Sequence, residues 1–325
     1  MSMAEPVRLQ QPQAGVSCHP AVQAWNRLNT EPSEAGEISL LKKRFKSTIY
    51  RIERLGARGS SVVAKCCRKE VAAHERLIYE EILPELPVSS PRYYGFVPGD
   101  GDSDWLFLEY VEGEPYSRER PDHSALAGRW LGLLHTSGQR AAAAARLPDR
   151  SHRHYLTQLQ NARGRLSATL AHINLPPEES AVVETVLGQC NFLQGHWNQI
   201  ERWCDRMPQT LVHGDFKPKN VVIRRAAAGP VLLPFDWEAS GWGVPAEDLA
   251  YVDLAAYHDA VKRYCPDVTV RDVERMKIVG RILRGLSEFC WESVKFDPSW
   301  VGSIAKLQFY KDRMHEAIAM AKWGE

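Results

Sequence analysis

Residues 211–223 read LVHGDFKPKNVVI: a short apolar run breaks into a polar loop and resumes as a second apolar run. The loop holds His213, Asp215 and Asn220, with the Asn five positions after the Asp. Asp236 follows sixteen residues later, in LLPFDWE. Val221–Ile223 and Val231–Phe235 read as the strands of a small hairpin, so the pattern predicts Asp215, Asn220 and Asp236 close together. Transfer of a phosphoryl group needs such a set. One carboxylate must meet the proton of the attacking hydroxyl, and a carboxylate with an amide oxygen must hold Mg²⁺ on the phosphates.

Helical signals surround this hairpin. Ala127, Trp130, Leu131 and Leu134 fall on one helical face, with Gly138 as a stop. Val182, Val186, Cys190, Leu193, Trp197, Ile200 and Cys204 recur at steps of 4, 4, 3, 4, 3 and 4, which predicts one long amphipathic helix after Pro177. Helices resume near Glu247 and continue to the end. Upstream the character changes. Ile38–Leu41, Thr48–Leu55 and Ser61–Cys67 read as strands, with Gly56 and Gly59 turning a hairpin between the last two. A helix from about Val71 to Leu83 is closed by Pro84, and Asp104–Tyr110 reads as a further strand. The fold class is therefore α+β. Residues 1–36 form an N-terminal extension with a short helix at Ala21–Leu28, residues 37–113 a small antiparallel-sheet lobe, and residues 114–325 a larger helical lobe. Glu112–Pro115 is the expected hinge, and bilobed chains commonly bind ligand at the lobe interface.

HGDxxxxN followed by an Asp after a short apolar strand resembles the aminoglycoside phosphotransferase and choline kinase-like family, which shares the protein-kinase architecture. Gly214 stands where protein kinases carry Arg, and no DFG and APE-bounded activation loop is present, so the small-molecule branch is favoured. The resemblance implies Asp215 as catalytic base, Asn220 and Asp236 as Mg²⁺ ligands, and ATP or GTP as co-substrate. In SSVVAKCC it implies Lys65 as the strand lysine on the nucleotide phosphates. Glu75, four residues before Tyr79, is its helix partner, with Glu70 and Glu80 as alternatives. The phosphate loop falls at Lys42–Thr48, where KKRFKST has no glycine; Ser47 and Thr48 are the candidate contacts. LFLEYVEGEP resembles the family hinge and puts adenine contacts at Glu109, Tyr110 and Val111. His135, in the LH that ends a helix, and His213 read as structural. Asp248 in DLA orients the catalytic loop.

The acceptor must carry a hydroxyl. Residues 226–261 contain six acids and no Lys or Arg, and Glu238, Glu247 and Trp242 are the candidates to hold a cationic acceptor. An amine-bearing small molecule is therefore expected: an aminoglycoside-like antibiotic, an amino sugar or an amino alcohol. The alternatives are a metabolic kinase for a neutral or sugar substrate, and a kinase-fold binding protein without catalysis. With 41 Lys and Arg against 40 Asp and Glu, the 325-residue chain has no global drive toward nucleic acid or an anionic membrane. No apolar run approaches the ~20 residues of a membrane helix, and MSMAEPVRLQQPQ has no apolar signal core. Seven cysteines without a CxxC spacing suit reduced thiols, so a cytoplasmic monomer or homodimer is expected.

Overall fold

The computed structural model describes residues 7–8, 16–29, 35–43, 46–138, 145–294 and 304–324. Half of the N-terminal extension, and Arg44 and Phe45 of the expected phosphate loop, lie outside the described residues. The chain divides into two compact units. The first comprises Met1–Tyr116 and Lys219–Glu238, the second Ser117–Pro218 and Ala239–Glu325.

The first unit is built on a six-stranded sheet. Its strands are β1 (Val7–Arg8), β2 (Ile38–Lys43), β3 (Ser47–Ile52), β4 (Val62–Arg68), β5 (Tyr93–Val97) and β6 (Ser103–Glu109), in the order β1-β2-β3-β4-β6-β5. All pairings are antiparallel. β4 buries both faces, with Val62 and Ala64 in one core and Cys67 on the opposite side with Ala72 and Leu106. The helix α1 (Pro20–Leu28) starts with Pro at its first position and with the His19 ring accepting from the Ala21 N–H. It seals that core with Trp25, whose ring meets Tyr94 and Phe107 edge-on at 5.4 and 5.3 Å. The helix α2 (Lys69–Leu77) follows β4 directly and widens into a π turn over Ile78–Ile82 before Pro84 ends it. A three-stranded sheet completes the unit: β7 (Glu114–Pro115), β10 (Val221–Ala226) and β11 (Gly229–Pro234), with β10 in the middle.

The second unit is mainly helical: α3 (Pro121–Ser137), α4 (His152–His172), α5 (Pro177–Gly195), α6 (Trp197–Cys204), α7 (Leu254–Val261), α8 (Val270–Ser293) and α9 (Ile304–Met320). The expected single helix after Pro177 is two. It breaks at His196, whose ψ of 13° leaves the helical range. The apolar steps carry across the break because Trp197 and Ile200 stay buried beside Leu193, so periodicity alone could not reveal it. α8 opens with a reciprocal cap: Thr269 Oγ1 accepts from the Asp272 N–H, and the Asp272 carboxylate accepts from the Thr269 N–H. A small sheet of β8 (Asp149–Arg150), β12 (Gly241–Gly243) and β9 (Thr210–Val212) leads into the polar loop at 213.

Candidate active site

In the first unit, Lys65 projects from β4, paired between Ile49 of β3 and Leu106 of β6. Its Nζ lies 2.9 Å from Glu75 Oε1 and 2.9 Å from Asp236 Oδ1. Lys65 and Glu75 are almost fully buried, at 4% and 1% exposure, so neither charge is stable there without the other. Burial alone would lower the Lys65 pKa, but the Glu75 and Asp236 carboxylates outweigh it and hold the ammonium well above its ordinary value. Of the three helix acids considered, Glu75 is the one at Lys65. Glu70 is exposed, and Glu80 accepts from Arg76 Nε and from the Tyr93 hydroxyl.

Asp236 follows β11 with a φ of 68°, a left-handed conformation that few residues other than Gly, Asn and Asp adopt. The Phe235 N–H donates to the Asn220 carbonyl at 3.0 Å, which ties the Asp236 segment to the buried Asn220. A carboxylate and an amide oxygen are hard donors. They suit Mg²⁺, which takes one or two carboxylates and keeps several waters. Lys42 brings a second ammonium to Asp236, 3.9 Å from Oδ2. Ser47 and Thr48 open β3 in register with Cys67 and Cys66, both half-buried. At the hinge, the Glu109 N–H donates to the Arg92 carbonyl and the Tyr110 N–H to the Ser61 carbonyl. The Glu109 carboxylate is held by Arg224 at 2.7 Å, and the Arg51 guanidinium covers the Tyr110 ring at 4.2 Å. Among the described residues no hydrogen bond to the Val111 N–H is found.

In the second unit the loop after β9 is organised by Asp248, which is fully buried. Its carboxylate accepts from the His213 N–H at 2.7 Å, from the Gly214 N–H at 2.9 Å and from His135 Nε2 at 3.3 Å. The far ring nitrogen of His135, Nδ1, lies 2.9 Å from the Tyr257 hydroxyl. His213 is buried with its ring edge-on to Phe216. Gly214 has a φ of 72°, and a Cβ there would lie 2.3 Å from the Ala239 carbonyl oxygen, so the backbone excludes a side chain at this position.

Asp215 follows, half-buried, with Lys217 Nζ paired to Oδ1 and the Arg284 guanidinium 3.2 Å from the same oxygen. Glu247 is half-buried, but its Oε1 is shielded from solvent and makes no hydrogen bond. Burial pushes its carboxyl up to about 7, against the pull of Arg284. Trp242 sits half-buried on β12 between Asp149 and Leu211. Glu238 is exposed and belongs to the first unit, Glu247 to the second. Sequence reasoning missed Lys42, Lys217, Tyr257 and Arg284. Lys217 lies inside the quoted loop and was legible as a charge beside Asp215; nothing in the sequence points from Arg284 to Asp215.

A buried lysine–glutamate pair with an aspartate on the lysine in the first unit, and in the second a loop whose His213 and Gly214 N–H groups are held by the DLA carboxylate, accompany a match to the phosphotransferase enzyme family (APH) over residues 50–289, well over half of the chain. The chain belongs to the phosphotransferase enzyme family. Solved kinases share the fold of this phosphotransferase. A Plasmodium vivax ethanolamine kinase superposes with a TM-score of 0.58 at 14% identity, covering 87% of this chain and 82% of its own. The GDP complex of wild-type aminoglycoside 2'-phosphotransferase-IIIa gives 0.63 at 13% identity, covering 94% and 99%. Choline kinase from Cryptosporidium parvum Iowa II gives 0.57 at 11%, covering 88% of each chain. No curated protein matches the chain. No helix among the described residues is long and apolar enough to cross a membrane.

Proposed function

We propose that this phosphotransferase moves the γ-phosphate of ATP or GTP to a hydroxyl of a small, amine-bearing molecule. The observation that carries the reading is Lys65 held between Glu75 and Asp236 in the first unit. A buried ammonium fixed by one carboxylate and facing a second has little structural use, because a packed apolar group would be at least as stable. It suits a nucleotide: Lys65 would meet the phosphates with Glu75 positioning it, and Asp236 with Asn220 would hold a Mg²⁺ ion, whose chemistry there would be to neutralise phosphate charge. Ser47, Thr48 and Lys42 line the phosphate side, and Val111 is the hinge residue with an amide to offer the base. Asp215 orients the acceptor hydroxyl and takes its proton as the oxygen bonds to the γ-phosphorus. The bond from that phosphorus to the bridging oxygen breaks, and the nucleoside diphosphate leaves with the electron pair.

Glu247 supports an amine on the acceptor. Its buried, unpaired oxygen lacks a donor, and an ammonium would supply one while restoring the ionised carboxylate. The test is nucleotide turnover with Mg²⁺ against ethanolamine, choline, kanamycin, spectinomycin and streptomycin, with glucose and glycerol as neutral acceptors. Transfer to one of the amines, lost in Lys65→Ala and Asp236→Ala, is the expected result. No nucleotide binding by calorimetry in the presence of Mg²⁺ would overturn the kinase reading. Transfer to the neutral acceptors alone would overturn the amine.

A further inference from the structure

One side chain from outside the loop motif, Arg284, reaches the Asp215 carboxylate and is itself held by its neighbours. Arg284 lies two-thirds along α8, and its side chain is only 20% exposed. Its guanidinium is 3.2 Å from Asp215 Oδ1 and 3.2 Å from Glu288 Oε1, one turn further along the helix. Glu288 is also approached by Arg313 of α9, at 3.5 Å. The Trp291 ring stacks on the Arg284 guanidinium at 5.0 Å. An ion chain Asp215–Arg284–Glu288–Arg313 thus runs from the loop into the last two helices. These helices carry no motif in the sequence. A planar guanidinium packed on an aromatic face and held by one carboxylate has few rotamers left, so it can fix a second carboxylate.

We infer that Arg284 is a positioning residue for the Asp215 carboxylate, and that Glu288 positions Arg284 in turn. The inference rests on the kinase reading, in which Asp215 is the group that meets the acceptor hydroxyl. Lys217 shares Oδ1 but comes from the same loop, two residues from Asp215, and moves with it. Arg284 is anchored to α8, so it is a contact that sets the carboxylate against the helices of the second unit. A hydroxyl is activated only when donor and acceptor atoms lie within hydrogen-bond reach in the right direction. Arg284 therefore acts on kcat through geometry. The Lys65–Glu75–Asp236 group belongs to the first unit.

The experiment uses the full chain with MgATP and MgGTP, following hydrolysis with water as acceptor and transfer to ethanolamine and kanamycin. Arg284→Ala should lower kcat by about 10²-fold, the usual worth of a misplaced catalytic group, with nucleotide Kd within about two-fold of wild type. Added guanidinium should recover about ten-fold in Arg284→Ala and nothing in Asp215→Asn, a readout that a purely structural arginine would not give. Glu288→Gln should fall between wild type and Arg284→Ala, and Arg284→Lys should keep more activity than Arg284→Ala. An Arg284→Ala enzyme within a few-fold of wild type, or one that guanidinium does not restore while it still melts cooperatively, would overturn the inference. Should Arg284→Ala not fold, equal kcat in Glu288→Gln and wild type would do so. A wild-type protein that neither hydrolyses nor transfers would instead sink the kinase reading.

Discussion

Asp248→Asn is the substitution whose cost the structure fixes best. The carboxylate is wholly buried and accepts three hydrogen bonds: two from consecutive backbone N–H groups, at 2.7 and 2.9 Å, and one from His135 Nε2 at 3.3 Å. Asparagine keeps the size but only one oxygen. Its carbonyl can serve one of the two N–H groups, and its amide then points donors at the other or at His135. One buried N–H is left unsatisfied, and charge assistance is lost on the rest, which together cost about 2–4 kcal/mol. At roughly 2–4 °C per kcal/mol for a domain of this size, Tm should fall by about 4–16 °C. The loop that carries Asp215 loses its anchor at residues 213 and 214, so kcat should fall by about 10²-fold. Nucleotide affinity should hold, because Asn220 and Asp236 lie in the other unit. Differential scanning calorimetry and single-turnover kinetics check the two halves. An Asp248→Asn protein that melts within about 1 °C of wild type, against the shift expected for a lost buried acceptor, would show that the carboxylate does not carry the loop.

Three other outcomes are expected. Lys65→Ala should weaken nucleotide binding, measured by calorimetry with Mg²⁺, and leave the acceptor KM alone, since Lys65 and its two carboxylates lie in the first unit. Asp215→Asn should lower kcat by roughly 10²–10⁴-fold with nucleotide Kd unchanged; a fall in nucleotide affinity instead would move Asp215 into the metal shell. Glu247→Gln should change the pH dependence of stability. Burial raises the folded-state carboxyl to about 7, so the native state keeps a proton that the unfolded chain releases near 4.5. Wild type therefore loses stability as pH rises from about 4.5 to 7, by at most ~3 kcal/mol, and the loss stays level above that. Urea melts at pH 5 and pH 8 should show Glu247→Gln gaining on wild type at the higher pH, and an equal gap at both would refute the assignment.

How far this was legible from the chain depends on range. Lys65 and Glu75 are ten residues apart, on a strand and the helix that follows it, and both the β-branched, apolar run of β4 and the helix stop at Pro84 can be read locally. Asn220 and Asp236 flank a short hairpin whose apolar runs are clear. β5 was missed because Tyr93–Val97 carries Gly95 at a φ of 149°, and the register slips there against β6, so the alternation is broken. The break at His196 was hidden because burial keeps its period across it. Arg284 could not be found: helical periodicity says which face a residue lies on, but not which loop that face meets. Gly214 was read as a marker of the small-molecule branch; its physical reason, a positive φ against the Ala239 carbonyl, needed coordinates.

The division of the chain sharpens what those residues mean. The boundary passes between Pro218 and Lys219, so it cuts the HGDFKPKN loop in two, and again between Glu238 and Ala239. Everything assigned to the phosphates and the metal (Lys42, Ser47, Thr48, Lys65, Glu75, Asn220, Asp236) groups with the first unit. Everything assigned to the proton and its positioning (Asp215, Arg284, Glu288, Asp248, His135) groups with the second. Lesions should therefore sort by unit, the first set acting on nucleotide affinity and the second on kcat at constant nucleotide affinity. Calorimetric nucleotide Kd and single-turnover kcat measured across both sets check the sorting, and a second-unit variant that loses nucleotide affinity would refute it.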